Sequence, residues 1–476
     1  MSKSEPGWGA LFSGTNAIRS LALAGGTALH AVSVYITITI LPSAVEDIGG
    51  KGYYAWNTTL FVAASILGAA LSPRLLAALG PKAAYGAAAL TFALGAAVCG
   101  LAPAMWVLIL GRVIQGLGGG AMLALSYAMI RLTLDESLWS RGMGLVSGMW
   151  GIATLLGPAV GGVFAEFGAW RLAFWVAVPL AILFTLLAAA ILPKQGDGER
   201  SAVPLPQLAV LTVAVLAVSW GSVQAELPLA ILGLAIALVL MAALVVMEHR
   251  TRTRILPWGS FRPSLPLAPL FAAMGLLAVT VTSTEIFLPL FLQTLYHQTP
   301  LVAGFIAALM SAGWTTGSIS SSGAGPTAAS RVIRLAPVVT LLGMMSMIAM
   351  MPVGGAGNWW LLAPICVALF CIGVSVGSTW PHLLTRTLQA APDDEKTLAA
   401  SAMTTVQLFA TALGTALAGM VVNHGGLLDP GGVAGTASAA RWLFAVFAVA
   451  PLLCLPIAAR IGRQPPSTGQ PAPVLQ

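Results

Sequence analysis

Leu110-Gly-Arg-Val-Ile-Gln-Gly-Leu-Gly-Gly-Gly120 sets one arginine and one glutamine inside an apolar run that extends from about 105 to 131. Such a run is long enough to cross a hydrocarbon layer about 30 Å thick as a helix, and a charge within it is costly unless it faces a partner or a cavity. Gly116 and Gly120, four residues apart, share one face and permit close approach of another helix. The stretch reads as a transmembrane helix with packing glycines and one embedded cation.

The rest of the chain has the same character. Of 476 residues, 58% are hydrophobic and 8% charged, too apolar a mixture to hide in one soluble core. Apolar runs fall at about 20–45, 53–79, 84–102, 105–131, 139–165 and 171–192, then 205–224 and 228–247, then 266–292, 300–322, 334–353, 358–382, 397–423 and 440–462. None alternates with a period of two, which argues against a strand barrel. The first run is too long for a signal-peptide core and has no convincing cleavage site, so it is kept as a helix. The expectation is an all-α polytopic membrane protein with fourteen transmembrane helices in a six, two, six arrangement. Residues 1–192 form the first bundle. Residues 193–265 form a linker with two extra helices and the basic loop Glu248-His-Arg-Thr-Arg-Thr-Arg254, and 266–476 form the second bundle and a short tail.

Charge fixes the expected orientation. Of 22 Lys and Arg, Arg112 is intramembrane, and only Lys51, Arg171 and Arg441 fall outside if the N-terminus is cytoplasmic, leaving eighteen on the inside. That bias places both termini in the cytoplasm. The net charge of +7 is distributed through short loops and does not indicate nucleic acid. Four cysteines lie in apolar runs without CxxC spacing, and five histidines are scattered, so no disulfide framework, metal site or cofactor is expected. No segment is long enough for a soluble domain, and no nucleophile–base cluster indicates an enzyme.

With loop and helix-end charges set aside, Arg112 and Glu285 remain within the membrane, each about seven residues or roughly 10 Å from the outer end of its helix. Glu285 stands in Val281-Thr-Ser-Thr-Glu-Ile-Phe-Leu-Pro-Leu-Phe-Leu-Gln293, where Pro289 loosens the helix just after it. The readings that compete are a proton-carrying carboxyl that alternately meets and leaves Arg112, and a structural ion pair or a helix-end residue that snorkels. A short internal echo links Leu156-Gly-Pro-Ala-Val-Gly-Gly162 with Leu413-Gly-Thr-Ala-Leu-Ala-Gly419, at equivalent places in a six-plus-six repeat.

The glycine-rich stretch at 110–120 followed by Gly157-Pro-Ala-Val-Gly-Gly162 resembles motifs B and C of the major facilitator superfamily. Trp170-Arg-Leu-Ala-Phe-Trp-Val-Ala-Val-Pro179, the basic loop after two central helices, Leu288-Pro-Leu-Phe-Leu-Gln293 and Pro300-Leu-Val-Ala-Gly304 are similar to the fourteen-helix drug:proton antiporter group. The resemblance implies two six-helix bundles rocking about a cavity lined by the first, fourth, ninth and tenth helices among others. It also has gaps. Pro73, Ala77 and Ala78 replace the Gly, Asp and Arg of motif A, leaving Gly80 and Lys82 in keeping. Ser33 stands where the first helix commonly has Asp, and Ala177 where an Asn often precedes the sixth-helix proline.

The candidates for proton coupling are therefore Glu285, Arg112 and His30, with a structural histidine as the competing reading of His30. Ser33, Tyr35, Gln115, Trp150, Phe287, Trp314 and Trp380 are candidates for a substrate cavity, against plain packing. Gly144, Gly157, Pro158, Gly161 and Gly162 form the conformational motif. The expected function is proton-coupled efflux of amphipathic organic compounds across the inner membrane by alternating access. The chain is expected to be a monomer whose partners are a small-molecule substrate, protons and the bilayer. The alternative is a facilitator or exporter of one metabolite, siderophore or lipid-like compound with weaker or different coupling.

Overall fold

The structure, a computed structural model, describes residues 8–135, 138–192, 203–251, 253–355 and 358–463. The linker residues 194–200 lie outside them. The described chain is helical: α1 (Trp8–Leu11), α2 (Gly14–Ile48), α3 (Trp56–Gly100), α4 (Met105–Thr133), α5 (Trp139–Glu166), α6 (Trp170–Ile191), α7 (Leu205–Ser222) and α8 (Leu227–Arg250), followed by α9 (Leu267–Ile286), α10 (Leu288–Tyr296), α11 (Pro300–Ser321), α12 (Pro326–Met350), α13 (Trp359–Ala390), α14 (Lys396–Val422), α15 (Gly432–Phe447) and α16 (Val449–Ile461). Thirteen helical spans are long and apolar enough to cross a membrane, and the chain is a multi-pass membrane protein.

Each break within a span has a local cause. The runs expected at 53–79 and 84–102 are both contained in α3, whose backbone turns at Gly80 with φ 74° and ψ 168°. An L side chain rarely adopts that conformation, so a glycine belongs there. The ninth run divides at Phe287. Pro289 has no N–H to give the Glu285 carbonyl, which accepts instead from the Phe287 N–H. Pro451 likewise has no N–H to give the Phe447 carbonyl, where α15 ends and α16 begins.

Contacts divide the chain into two units, residues 1–208 with 298–308, and residues 209–297 with 309–476. In the first unit α4 is packed on both arms of α3. A Cβ on Gly116 or Gly120 would run into the Phe61 carbonyl or the Ser65 backbone of the first arm, and one on Gly118 or Gly111 would meet Phe92 or Cys99 of the second. The glycine-rich stretch thus removes side chains on two faces, and dispersion between closely approaching backbones replaces them. Glycines of α5 do the same against α2, with Gly157 on Tyr35 and Gly161 on Ile36. At the start of α6, Asp47 accepts from Trp170 Nε1 at 3.2 Å and pairs with Arg171 at 2.5 Å, tying the end of α2 to α6.

The second unit uses corresponding devices. Gly313 and Gly317 of α11 meet the backbone of Phe370 and Val374, while Gly373 and Gly377 of α13 meet that of Met310 and Trp314. Gly414 of α14 lies against Val279 of α9, where an added Cβ would be 3.4 Å from the Val279 Cα. The two central helices pack on α14, with Ala214, Val218 and Ala237 grouped around Ala416. Asn423 Nδ2 donates to the Ser222 carbonyl at 2.8 Å.

The loop after α8 is held by two carboxylates. Buried Glu248 accepts from the backbone N–H of Ile255 at 3.1 Å and of Leu256 at 3.0 Å. Glu395 accepts from the Trp258 N–H at 2.6 Å and pairs with Arg254 at 3.5 Å.

Candidate functional site

In the first unit the polar residues of α2 and α4 converge. Arg112 and Gln115 are one turn apart on α4, and both are completely buried. Arg112 Nη1 donates to Gln115 Oε1 at 2.6 Å and to Ser33 Oγ at 2.9 Å. Its guanidinium carbon lies 3.8 Å from the centre of the Phe61 ring. The sequence-selected residues Arg112, Gln115 and Ser33 are therefore one cluster. Its fourth member, Phe61, was missed because an apolar residue on an apolar helix carries no signal.

His30 joins the cluster through the same ring. It stacks on Phe61 with centroids 5.2 Å apart, and Trp150 approaches it edge-on at 5.8 Å. On its other side His30 Nδ1 faces Gly119, where an added Cβ would be 2.6 Å away. This explains the middle one of the three consecutive glycines, 118 to 120. Gly116 and Gly120 serve the first arm of α3 and Gly118 the second, while Gly119 makes room for an imidazole.

The guanidinium has no carboxylate partner among the described residues. The expected alternative of an ion pair is replaced by two neutral hydrogen-bond acceptors and an aromatic face, which disperse the charge without cancelling it.

In the second unit Glu285 is half-buried near the C-terminal end of α9, with no hydrogen bond or ion pair among the described residues. Its neighbours on the helix have partners of their own, two within α9 and one on α14. Thr284 donates to the Thr280 carbonyl at 2.8 Å, Ser283 to the same carbonyl at 3.0 Å, and Thr282 to Thr411 Oγ1 at 3.3 Å. One turn earlier Val281 packs in the same cluster as Trp314 and Trp380. Those two indoles lie 5.1 Å apart with planes tilted by 50°. Half-buried Trp314 and the more enclosed Trp380 thus form an aromatic pair within the packed cluster that also takes in Val281 of α9.

Phe287 is fully buried and stacks on Phe291 at 6.0 Å, so it packs within the unit instead of presenting its ring outward. Tyr35 is half-buried on α2 against Gly157. Pro158 and Gly162 face the first turns of α11, where an added Cβ on Gly304 would lie 2.9 Å from Pro158 and one on Gly162 2.6 Å from Leu301 Cα. The surroundings of Gly144 lie outside the described residues. The four α11 and α13 glycines were overlooked, although their four-residue spacing was present in the sequence. Among the described residues, no three His, Cys, Asp or Glu side chains converge as metal ligands would.

Comparison with known proteins agrees with this architecture. Residues 23–415 match the Major Facilitator Superfamily. A probable multidrug-efflux transporter of Mycobacterium tuberculosis is 37% identical over 444 residues, covering 90% of this chain and 91% of the relative. Multidrug resistance protein 3 of Bacillus subtilis is 24% identical, covering 74% and 70%. Among solved structures, a peptide transporter aligns with a TM-score of 0.68 at 14% identity over 94% of this chain and 96% of its own. The nucleoside transporter NupG aligns with a TM-score of 0.64 at 13% identity, covering 93% and 99%. At those identities the solved structures speak for the fold alone. With its helices, its glycine-packed α4 and a family match across most of its length, the chain belongs to the major facilitator superfamily of membrane transporters.

Proposed function

We propose that the protein exports amphipathic organic compounds across the inner membrane by alternating access, drawing on the proton gradient. The observation that carries this reading is the 37% identity, across nine-tenths of both chains, to a probable multidrug-efflux transporter. Glu285 supports the proton coupling. It is a carboxyl within an apolar span, without an ion-pair partner among the described residues and with part of its surface accessible. The Trp314 and Trp380 pair supplies an aromatic surface suited to flat organic molecules.

The proposed topology has fourteen spans and cytoplasmic termini. Dividing α3 at Gly80 gives arms at 56–79 and 81–100, each about 30 Å or longer at 1.5 Å per residue, which adds one span to the thirteen. An even number puts both termini on one side, and the excess of Lys and Arg assigns that side. A six, two, six division into 1–192, 193–265 and 266–476 is supported by two repeated contacts. Glycines join the first and fifth helices of each half, α2 with α5 and α9 with α14. Glycines also join the second and fourth, α3 with α4 and α11 with α13. A monomer suffices for this mechanism.

The test combines a susceptibility panel in a pump-deleted host with efflux from proteoliposomes under an imposed pH gradient. Wild type and His30→Ala are expected to export in response to the gradient, and Glu285→Gln to lose that response. Full gradient-driven export by Glu285→Gln overturns the assignment to Glu285. Export of a single compound class, insensitive to the gradient, supports a metabolite facilitator instead.

A further inference from the structure

The Arg112 cluster contains more hydrogen-bond donors than the protein satisfies. Arg112 Nε, Gln115 Nε2 and His30 Nδ1 are each buried without a hydrogen-bond partner among the described residues. All three belong to side chains at most 2% exposed. Two are obligate donors, and His30 Nδ1 is a donor in one of its neutral tautomers. Arg112 and Gln115 are bonded to each other, so their two unpartnered donors are neighbours, and Phe61 links Arg112 to His30, whose Nδ1 lies against Gly119.

The charge is unbalanced as well. Every partner of the Arg112 side chain, the Ser33 hydroxyl, the Gln115 amide oxygen and the Phe61 ring, is neutral. A guanidinium buried without a counter-charge is a costly arrangement. A water would accept from these donors but would leave that charge in place. A small anion accepts from them and neutralises it.

We infer that Arg112, Gln115, Ser33 and His30 form a binding site for one monovalent anion, either chloride or the carboxylate of a transported compound. The inference does not rest on the direction or driving force of transport, because it concerns binding to the isolated protein.

The test uses the purified full-length protein in nanodiscs of neutral lipid, with thermal unfolding as the readout. Chloride, benzoate and, as an uncharged control, benzamide are titrated with isethionate holding the ionic strength. The expected result is a saturable rise in unfolding temperature with at least one anion and none with benzamide. A response to chloride identifies an inorganic-ion site, and a response to benzoate alone identifies a substrate carboxylate. Ser33→Asp places a carboxylate beside Arg112 Nη1. It is expected to raise the unfolding temperature without added anion and to abolish the saturable rise, as is Arg112→Gln. Absence of a saturable rise in wild type with either anion overturns the proposal, whatever the variants do. A folded Ser33→Asp protein that responds like wild type overturns it too.

Discussion

The ring of Phe61 lies 3.8 Å from the guanidinium carbon of Arg112, joining the first arm of α3 to the cation of α4. The same ring supports His30 from α2. One aromatic residue thus ties three helices together at the cluster of Arg112, Gln115, Ser33 and His30. Phe61→Leu keeps most of the apolar volume but removes the ring face, and is expected to destabilise the protein by about 1–2 kcal/mol. Phe61→Tyr retains the ring and is expected to lose less. Thermal unfolding of the purified variants checks the order.

Gly120 and Gly148 are both helical glycines, but they have different surroundings. A Cβ on Gly120 would overlap the Ser65 backbone, whereas one on Gly148 would meet nothing within 4 Å. Gly120→Ala is expected to cost about 1–3 kcal/mol through overpacking and to reduce folded yield. Gly148→Ala is expected to be neutral or stabilising by up to about 1 kcal/mol, from helix propensity. Size-exclusion profiles and unfolding temperatures distinguish the two, and equal loss from both would refute the packing account.

Glu248 holds the loop after α8 through the N–H groups of Ile255 and Leu256. Glu248→Ala leaves these donors unsatisfied, at a cost of about 1–3 kcal/mol. Faster tryptic cleavage after Arg250 or Arg254 is the expected sign, with the helices themselves remaining protected. Unchanged cleavage kinetics would mean that the loop is held by other contacts.

Trp314 and Trp380 form an aromatic pair in the same packed cluster as Val281 of α9. If the proposed export function is correct, Trp314→Ala should lower resistance selectively. The expected effect is roughly two- to tenfold for compounds that stack on the pair, corresponding to about 0.5–1.5 kcal/mol. Trp106, 70% exposed on α4, is the control, and Trp106→Ala should leave the profile unchanged. A uniform loss across the panel from Trp314→Ala would indicate a folding defect, which its unfolding temperature would reveal.

Much of the fold was legible because membrane helices declare themselves by length and hydropathy. The expected runs correspond to observed helices within several residues, and Pro289 marked the break after Glu285. A break between 79 and 84 was also expected, and the structure places it at Gly80 within one continuous helical stretch. The four glycines of α11 and α13 had the informative spacing, but spacing does not name the helix on which a glycine packs.

Sequence by itself determined the membrane-spanning character, the rough helix boundaries and the rarity of embedded charge, because each follows from local composition and the cost of burying polar groups. It also brought forward Arg112, Gln115, Ser33, His30 and Glu285. Only the tertiary structure decided that the first four share a cluster built around Phe61, that each consecutive glycine from 118 to 120 faces a different neighbour, and that Glu285 has no partner among the described residues. These depend on how helices distant in the chain rotate and approach one another, and a helical period fixes which residues share a face but not what that face meets.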